Sequence, residues 1–295
     1  MTAAWPPDVA TLRAALDRAG YLAGDALGTA LLLAVRMAQP ILLEGEPGVG
    51  KTEAARALAA AMDTPLIRLQ CYEGLSSAEA LYEWNYPRQL LAIRLAESRG
   101  ETLRDADLFA EDYLLPRPLL AAISHRGPRP VVLLIDELDR ADDEFEAFLL
   151  ELLADAAVTI PEIGTRRAVL PPIVVLTSNR TRDLHDALKR RCLYHWIDYP
   201  DTARVAEIIR RRVPDAAGWL AERVAGSVQR MRGLELTKPP GVAEAINWAS
   251  ALHVLGVSTV DGQAAERTLG AVLKYAEDAQ TAREADLAAL VSPDG

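Results

Sequence analysis

Gly45-Glu46-Pro47-Gly48-Val49-Gly50-Lys51-Thr52 lies between the apolar run Pro40-Ile41-Leu42-Leu43-Glu44 and a helix-forming stretch from about Lys51 to Met62. The spacing is a complete GxxxxGK[ST] pattern, and its place after a strand and ahead of a helix gives it meaning. Glycines let successive backbone N–H groups turn inward at a helix N-terminus, where they and the helix dipole cradle phosphate oxygens. Lys51 then reaches the β- and γ-phosphates of a nucleoside triphosphate, and the Thr52 hydroxyl ligates magnesium. Gly45, Glu46, Pro47, Gly48, Val49, Gly50, Lys51 and Thr52 are therefore the expected ATP-binding residues, with ATP and Mg2+ as cofactors. A chance glycine turn is the alternative, and the motif and its context together argue against it.

Downstream, Val131-Val132-Leu133-Leu134-Ile135 is an unbroken branched apolar run, as expected for the centre of a parallel sheet. It ends in Asp136-Glu137, which places both acids at the carboxyl end of the sheet beside the phosphate loop. Asp136 is the expected magnesium residue, and Glu137 the general base that polarises the attacking water. Two acids after a strand also suit an ordinary helix start; the intact loop upstream favours the catalytic reading. A further apolar strand, Ile173-Val174-Val175-Leu176, leads into Thr177-Ser178-Asn179, and Asn179 is the candidate for orienting that water. The ordinary alternative is an Asn in a turn.

Around these motifs, residues 9–38 read as two helical stretches broken near Gly20 to Asp25, and Leu66-Ile67-Arg68-Leu69 as a second strand. Helical pieces are expected at Ala78–Tyr82, Arg88–Ser98, Pro118–Ser124 and Glu144–Ala154. A hairpin of Val158-Thr159-Ile160 with Arg167-Ala168-Val169-Leu170 turns at Gly164. Strands alternating with helices imply a doubly wound α/β layer. After Tyr199-Pro200 only helices are expected: Thr202–Arg212, Ala216–Met231, Val242–Leu255 and Glu266–Ala279. The expected organisation is a nucleotide-binding αβα domain over 1–199, with an insert at about 74–130, and a helical lid over 200–295.

Half of the 295 residues are hydrophobic, enough for a sizeable core. A net charge of -10 and a pI near 5.0 oppose a phosphate backbone, so no nucleic-acid partner is expected. Cys71 and Cys192 stand in no metal-binding spacing, and reduced thiols suit the cytoplasm. No leader is read in Met1 to Asp8. The longest apolar stretch, Ala26 to Ala38, carries Arg36 and is too short to span a bilayer.

The phosphate loop, Asp136-Glu137, Asn179, the basic cluster Lys189-Arg190-Arg191 and the helical tail together resemble an AAA+ ATPase core. The resemblance implies that Asn179 is the sensor-1 residue. It also implies that Arg191, or Arg190 next to it, is a finger inserted into the neighbouring subunit's site. Tyr21, Leu22 and Gly24 stand where such proteins close over adenine. Within AAA+ proteins the chain is similar to the MoxR family and its CoxD-like branch over roughly residues 20–255. Leu42–Gly45, Phe148–Leu153 and Val158–Pro161 support the family. Leu81-Tyr82-Glu83-Trp84-Asn85-Tyr86-Pro87-Arg88-Gln89-Leu90-Leu91 and Lys238-Pro239-Pro240-Gly241 support the branch. The family often places a sensor-2 arginine after a proline at the start of a lid helix; here Lys238 is the substitute.

This resemblance implies a hexameric ring of the chain's own copies, hydrolysing ATP to remodel a client protein. It further implies a von Willebrand A domain partner and a client metalloenzyme, such as a molybdenum hydroxylase of the carbon monoxide dehydrogenase kind. A nucleic-acid-directed AAA+ ATPase (a helicase loader or transcription activator), a small-molecule P-loop kinase and a binding-only switch are the alternatives. Charge opposes the first, the position of Glu137 beside Asp136 the second, and intact Lys51, Asp136 and Glu137 the third. Trp84 and Tyr86 read either as an exposed contact surface or as anchors of the insert.

Overall fold

The computed structural model describes residues 6–216 and 218–292. Residues 1–5, part of the Met1 to Asp8 stretch, and Ala217, within the expected Ala216–Met231 helix, lie outside the described residues. Contacts divide the chain into two compact units, residues 1–44 with 52–196 and residues 45–51 with 197–295.

Helices α1 (Val9–Arg18) and α2 (Asp25–Met37) precede strand β1 (Ile41–Glu44), and α3 (Lys51–Ala61) follows the glycine loop. After β2 (Leu66–Gln70) come α4 (Ser77–Leu81), β3 (Tyr82–Trp84), α5 (Tyr86–Arg99), α6 (Asp105–Leu108), β4 (Leu114–Pro116) and α7 (Pro118–Ile123). Then follow β5 (Val132–Asp136), α8 (Asp143–Asp155), β6 (Ala157–Ile160), β7 (Gly164–Arg167), β8 (Ile173–Ser178), α9 (Asp186–Lys189) and β9 (Leu193–Trp196). The second unit carries α10 (Thr202–Arg212), α11 (Gly218–Arg232), α12 (Val242–Val254), α13 (Gly262–Val272), α14 (Ala276–Glu284) and α15 (Leu287–Val291).

The main sheet of the first unit runs β2-β5-β8-β1-β9, and every pairing in it is parallel. Every residue of β5, β8 and β1 is buried, which is why those strands are continuous apolar runs with no polar alternation. Parallel strands end on one side, so Gln70, Asp136, Ser178, Glu44 and Trp196 line one edge of the sheet, where open α/β sheets bind their ligands. This is the α/β class that the motif context implies.

Three elements differ from the sequence reading. The hairpin exists, but its second strand is Gly164–Arg167, pairing Ile160 with Gly164 and Ala157 with Arg167, so the turn is tighter than expected. The expected Glu266–Ala279 helix is two helices, because Leu273 takes an extended conformation and buries its side chain in the helical core. Strand β9 was not expected; it adds a parallel edge beside β1, with Ile41 opposite Leu193.

The stretch after β2 is partly core. Leu119, Leu120, Ala122 and Ile123 of α7 pack in the same hydrophobic cluster as β5. Trp84 is buried there, edge-on to Tyr82 and to Phe109, whereas Tyr86 is 60% exposed. Anchor and exposed surface are thus divided between two residues on either side of Asn85.

In the second unit, α11 buries Leu220, Val224, Val228 and Met231, a helical spacing that turns one face inward. Trp248 of α12 is fully buried, and its indole N–H donates to the Thr268 hydroxyl at 2.8 Å, so the largest side chain there leaves no polar atom unmatched. Among the described residues, no helix is long and apolar enough to cross a membrane.

Candidate functional site

At the carboxyl end of β5, Asp136 is 1% exposed. A carboxylate so buried requires donors, and neighbouring elements supply them. The Thr52 hydroxyl, from the first turn of α3, donates to Oδ1 at 2.9 Å, with Oδ2 at 3.2 Å. The Thr177 hydroxyl, from β8, donates to Oδ1 at 2.6 Å. Arg68, from β2, brings Nε and Nη2 to Oδ2 at 2.9 Å and 2.6 Å. Sheet register makes this possible, since Ile135 pairs with Leu176 on one side and Asp136 with Gln70 on the other.

Glu137 turns out of the strand into the left-handed region, with φ 55° and ψ 49°. Non-glycine residues avoid that conformation, and its use here re-aims the side chain at a local cost. Thr177 steadies it, because its oxygen also accepts the Glu137 N–H at 2.9 Å. One hydroxyl therefore bridges both acids. The Glu137 carboxylate accepts from Gln70 Nε2 at 3.0 Å and faces Arg140 at 3.3 Å. Beneath the pair, Cys71 donates its N–H to the Asp136 carbonyl, and its thiol is pushed up to about 12 by burial first and then by Asp136 and its acidic neighbours.

The loop Gly45–Lys51 belongs to the second unit. Gly45, Gly48 and Gly50 have φ of 156°, 80° and 98°. At Gly45 a Cβ would fall on the Ile197 carbonyl oxygen, so only glycine fits. Lys51 is 7% exposed and donates to the Gly45 and Glu46 carbonyls at 2.6 Å and 2.8 Å, bending back over the loop it closes. The Gly48 carbonyl accepts the Val242 N–H at 3.0 Å, and a Cβ on Gly48 would meet Gly241 Cα at 3.1 Å and Glu244 Oε2 at 3.2 Å. Gly241, the N-cap of α12, thus faces the loop at the start of the lid helix, where the resemblance implies an arginine. Lys238 lies before it, with its N–H on Asp278 Oδ2 at 3.1 Å. Also in this unit, the Arg232 guanidinium covers the Tyr199 ring at 4.2 Å and donates from Nε to the Pro240 carbonyl at 2.8 Å.

The structure thus gathers Thr52, Asp136 and Glu137 and adds Thr177, Arg68 and Gln70, which the sequence reading did not single out. Asn179 is half-buried, two residues beyond Thr177, and it is Thr177 that bonds Asp136. Arg190 and Arg191 are exposed at the end of α9, with Arg191 Nη1 on the Ala187 carbonyl at 2.8 Å.

A family model described as AAA domain (dynein-related subfamily) matches residues 40–192, from the residue before β1 to the residue before β9. No curated protein sequence matches the chain. Two solved structures of point variants of RuvB from Thermotoga maritima are similar with a TM-score of 0.53. One is 19% identical, covering 86% of this chain and 71% of that one; the other is 20% identical, covering 88% and 72%. A third, described as the RuvB Holliday junction branch migration motor of Thermotoga maritima, has a TM-score of 0.50 and 20% identity over 88% of this chain and 72% of that one. At such identities the likeness is one of fold.

Proposed function

The chain belongs to the dynein-related subfamily of AAA domains, and from that premise we propose that it binds ATP with magnesium and hydrolyses it in a ring of its own copies to remodel a client protein. The observation that carries the reading is the single Thr177 hydroxyl holding Asp136 and Glu137 together, with the Thr52 hydroxyl on the same carboxylate. A hydroxyl and a carboxylate 2.9 Å apart are hard oxygen donors of the kind magnesium prefers alongside substrate phosphates. Magnesium, when bound, neutralises phosphate charge; Thr52 and Asp136 are the residues that fit it.

The chain's own residues account for the rest. Backbone N–H groups of Gly45–Lys51 and the Lys51 ammonium bind the phosphates. Glu137 accepts a proton from the attacking water, and Asn179 orients that water. Arg191 or Arg190, exposed on one copy, neutralises charge in the site of the next. Lys238 is the proposed lid cation, since Gly241 carries no side chain. The resemblance of residues 81–91 and 238–241 to the CoxD-like branch of the MoxR family supports a von Willebrand A domain partner and a metalloenzyme client.

The test is ATP turnover against protein concentration, for the wild type, Glu137→Gln and Arg191→Ala. Turnover per chain rising with concentration, two inactive variants, and partial recovery on mixing them support a ring with a finger acting in trans. Concentration-independent turnover with a harmless Arg191→Ala would refute the ring. Stimulation by DNA or RNA would replace the protein client with a nucleic-acid one.

A further inference from the structure

An ionised carboxylate offers about four lone-pair directions. On Asp136, Thr52 and Thr177 take Oδ1, and the Arg68 fork takes Oδ2 with two donors, at 2.9 Å and 2.6 Å. Arg68 stands two residues before Gln70 on β2, so both side chains leave the same face. Its Nη2 also bonds Gln70 Oε1, which fixes the plane of the fork. The two ends of this ion pair differ in burial, since the Asp136 side chain is 2% exposed and that of Arg68 is 40% exposed. The carboxylate must keep a cation, whereas the guanidinium can withdraw to water at small cost.

We propose that Arg68 is the positioning residue of this site: a resident cation that holds the Asp136 carboxylate in place and competes with magnesium for Oδ2. The inference rests on the reading that Thr52 and Asp136 take magnesium. Two cations sharing one oxygen of one buried carboxylate oppose each other directly. Arg68 therefore sets the magnesium concentration at which the nucleotide site fills.

The experiment is a magnesium titration of fluorescent ADP analogue binding, on the full chain, for the wild type, Arg68→Gln and Arg68→Lys. A baseline in chelator and a thermal melt of each protein accompany it. Removing a charge-assisted fork from a partly exposed partner lowers the half-saturating magnesium by about fivefold in Arg68→Gln. Arg68→Lys keeps the charge without the fork and falls between, and it carries the measurement if Arg68→Gln does not fold. The direction is the discriminating readout, because a merely structural lesion raises the magnesium requirement. An unchanged or raised midpoint, with nucleotide still bound, overturns the role of Arg68 alone. A wild type that binds no nucleotide at any magnesium concentration overturns the ATP-site reading and this inference with it.

Discussion

Replacing Thr177 by valine exchanges one oxygen for a methyl group of nearly the same size in a site 1% exposed. Two bonds disappear, the 2.6 Å donation to Asp136 Oδ1 and the 2.9 Å acceptance of the Glu137 N–H. A hydrogen bond to a charged group contributes about 1.5–3 kcal/mol, and a stranded N–H costs about 1–3 kcal/mol. The Glu137 side chain is 34% exposed, so water reaches part of that corner and the lower half of each range applies, about 3 kcal/mol together. For a domain of this class that is a fall of about 6–12 °C in melting temperature. Thr177→Ser keeps the hydroxyl and loses one methyl, about 1 kcal/mol. Activity should separate the two variants further, because a base displaced by a fraction of an ångström loses about tenfold or more in rate. Thermal melts and ATP turnover of both variants make the comparison. If Thr177→Val melts and turns over ATP like Thr177→Ser, the bridge contributes nothing and the argument for Thr177 fails.

Other perturbations probe different parts of the molecule. Glu137→Gln keeps the Gln70 neighbourhood but removes the proposed base, so ATP binding should persist while turnover falls by about 10²-fold or more; equal losses in both would refute the assignment. In Gly241→Ala the new Cβ would lie 2.8 Å from Gly48 Cα, against backbone that cannot swing aside, which costs about 1–3 kcal/mol. Nucleotide affinity should fall about tenfold, and an unchanged titration would show that the loop tolerates displacement. The Cys71 and Cys192 thiols are each raised from 9.0 to about 12, chiefly by burial. Raised folded values keep both protonated at neutral pH, and Cys71 is buried besides, so in native protein Cys71 should resist thiol reagents and react only on unfolding. The stability they contribute is intact below pH 9.0 and lost as pH climbs toward about 12; rapid labelling of Cys71 in folded protein would contradict both statements.

The inner strands were readable because burial on both faces leaves only apolar residues, and β1, β5 and β8 have nothing else to show until their last residues. Strand β9 has the sequence Leu193-Tyr194-His195-Trp196, with Tyr194 exposed and its hydroxyl donating to Glu44 at 3.1 Å. An edge strand half open to solvent has no such signature, and only its pairing with β1 defines it. The break between α13 and α14 was hidden for a different reason. No proline marks it; the helix stops because an extended Leu273 buries its side chain in the helical core, a tertiary gain that outweighs continued helix.

The site divides along the same line. Gly45–Thr52 and Asp136-Glu137 announce themselves because their chemistry is local: a turn, a helix start, a strand end. Thr177, Gln70 and Arg68 act on the acids from 40, 67 and 68 residues away, and no window along the chain joins them. Asn179 stands just past the tip of its strand, and its place is legible from the chain, whereas that of Thr177 needs the register. In parallel strands the residue beside Asp136 is set by pairing, and Ile135 opposite Leu176 puts Thr177 next to it. On the other side Gln70 pairs with Asp136, and the two-residue period of β2 then brings Arg68 onto the same face. Once the order β2-β5-β8 is known, those three side chains follow from the position of Asp136 alone. What the linear chain withholds is therefore the order of the strands, since their chemistry is written in it.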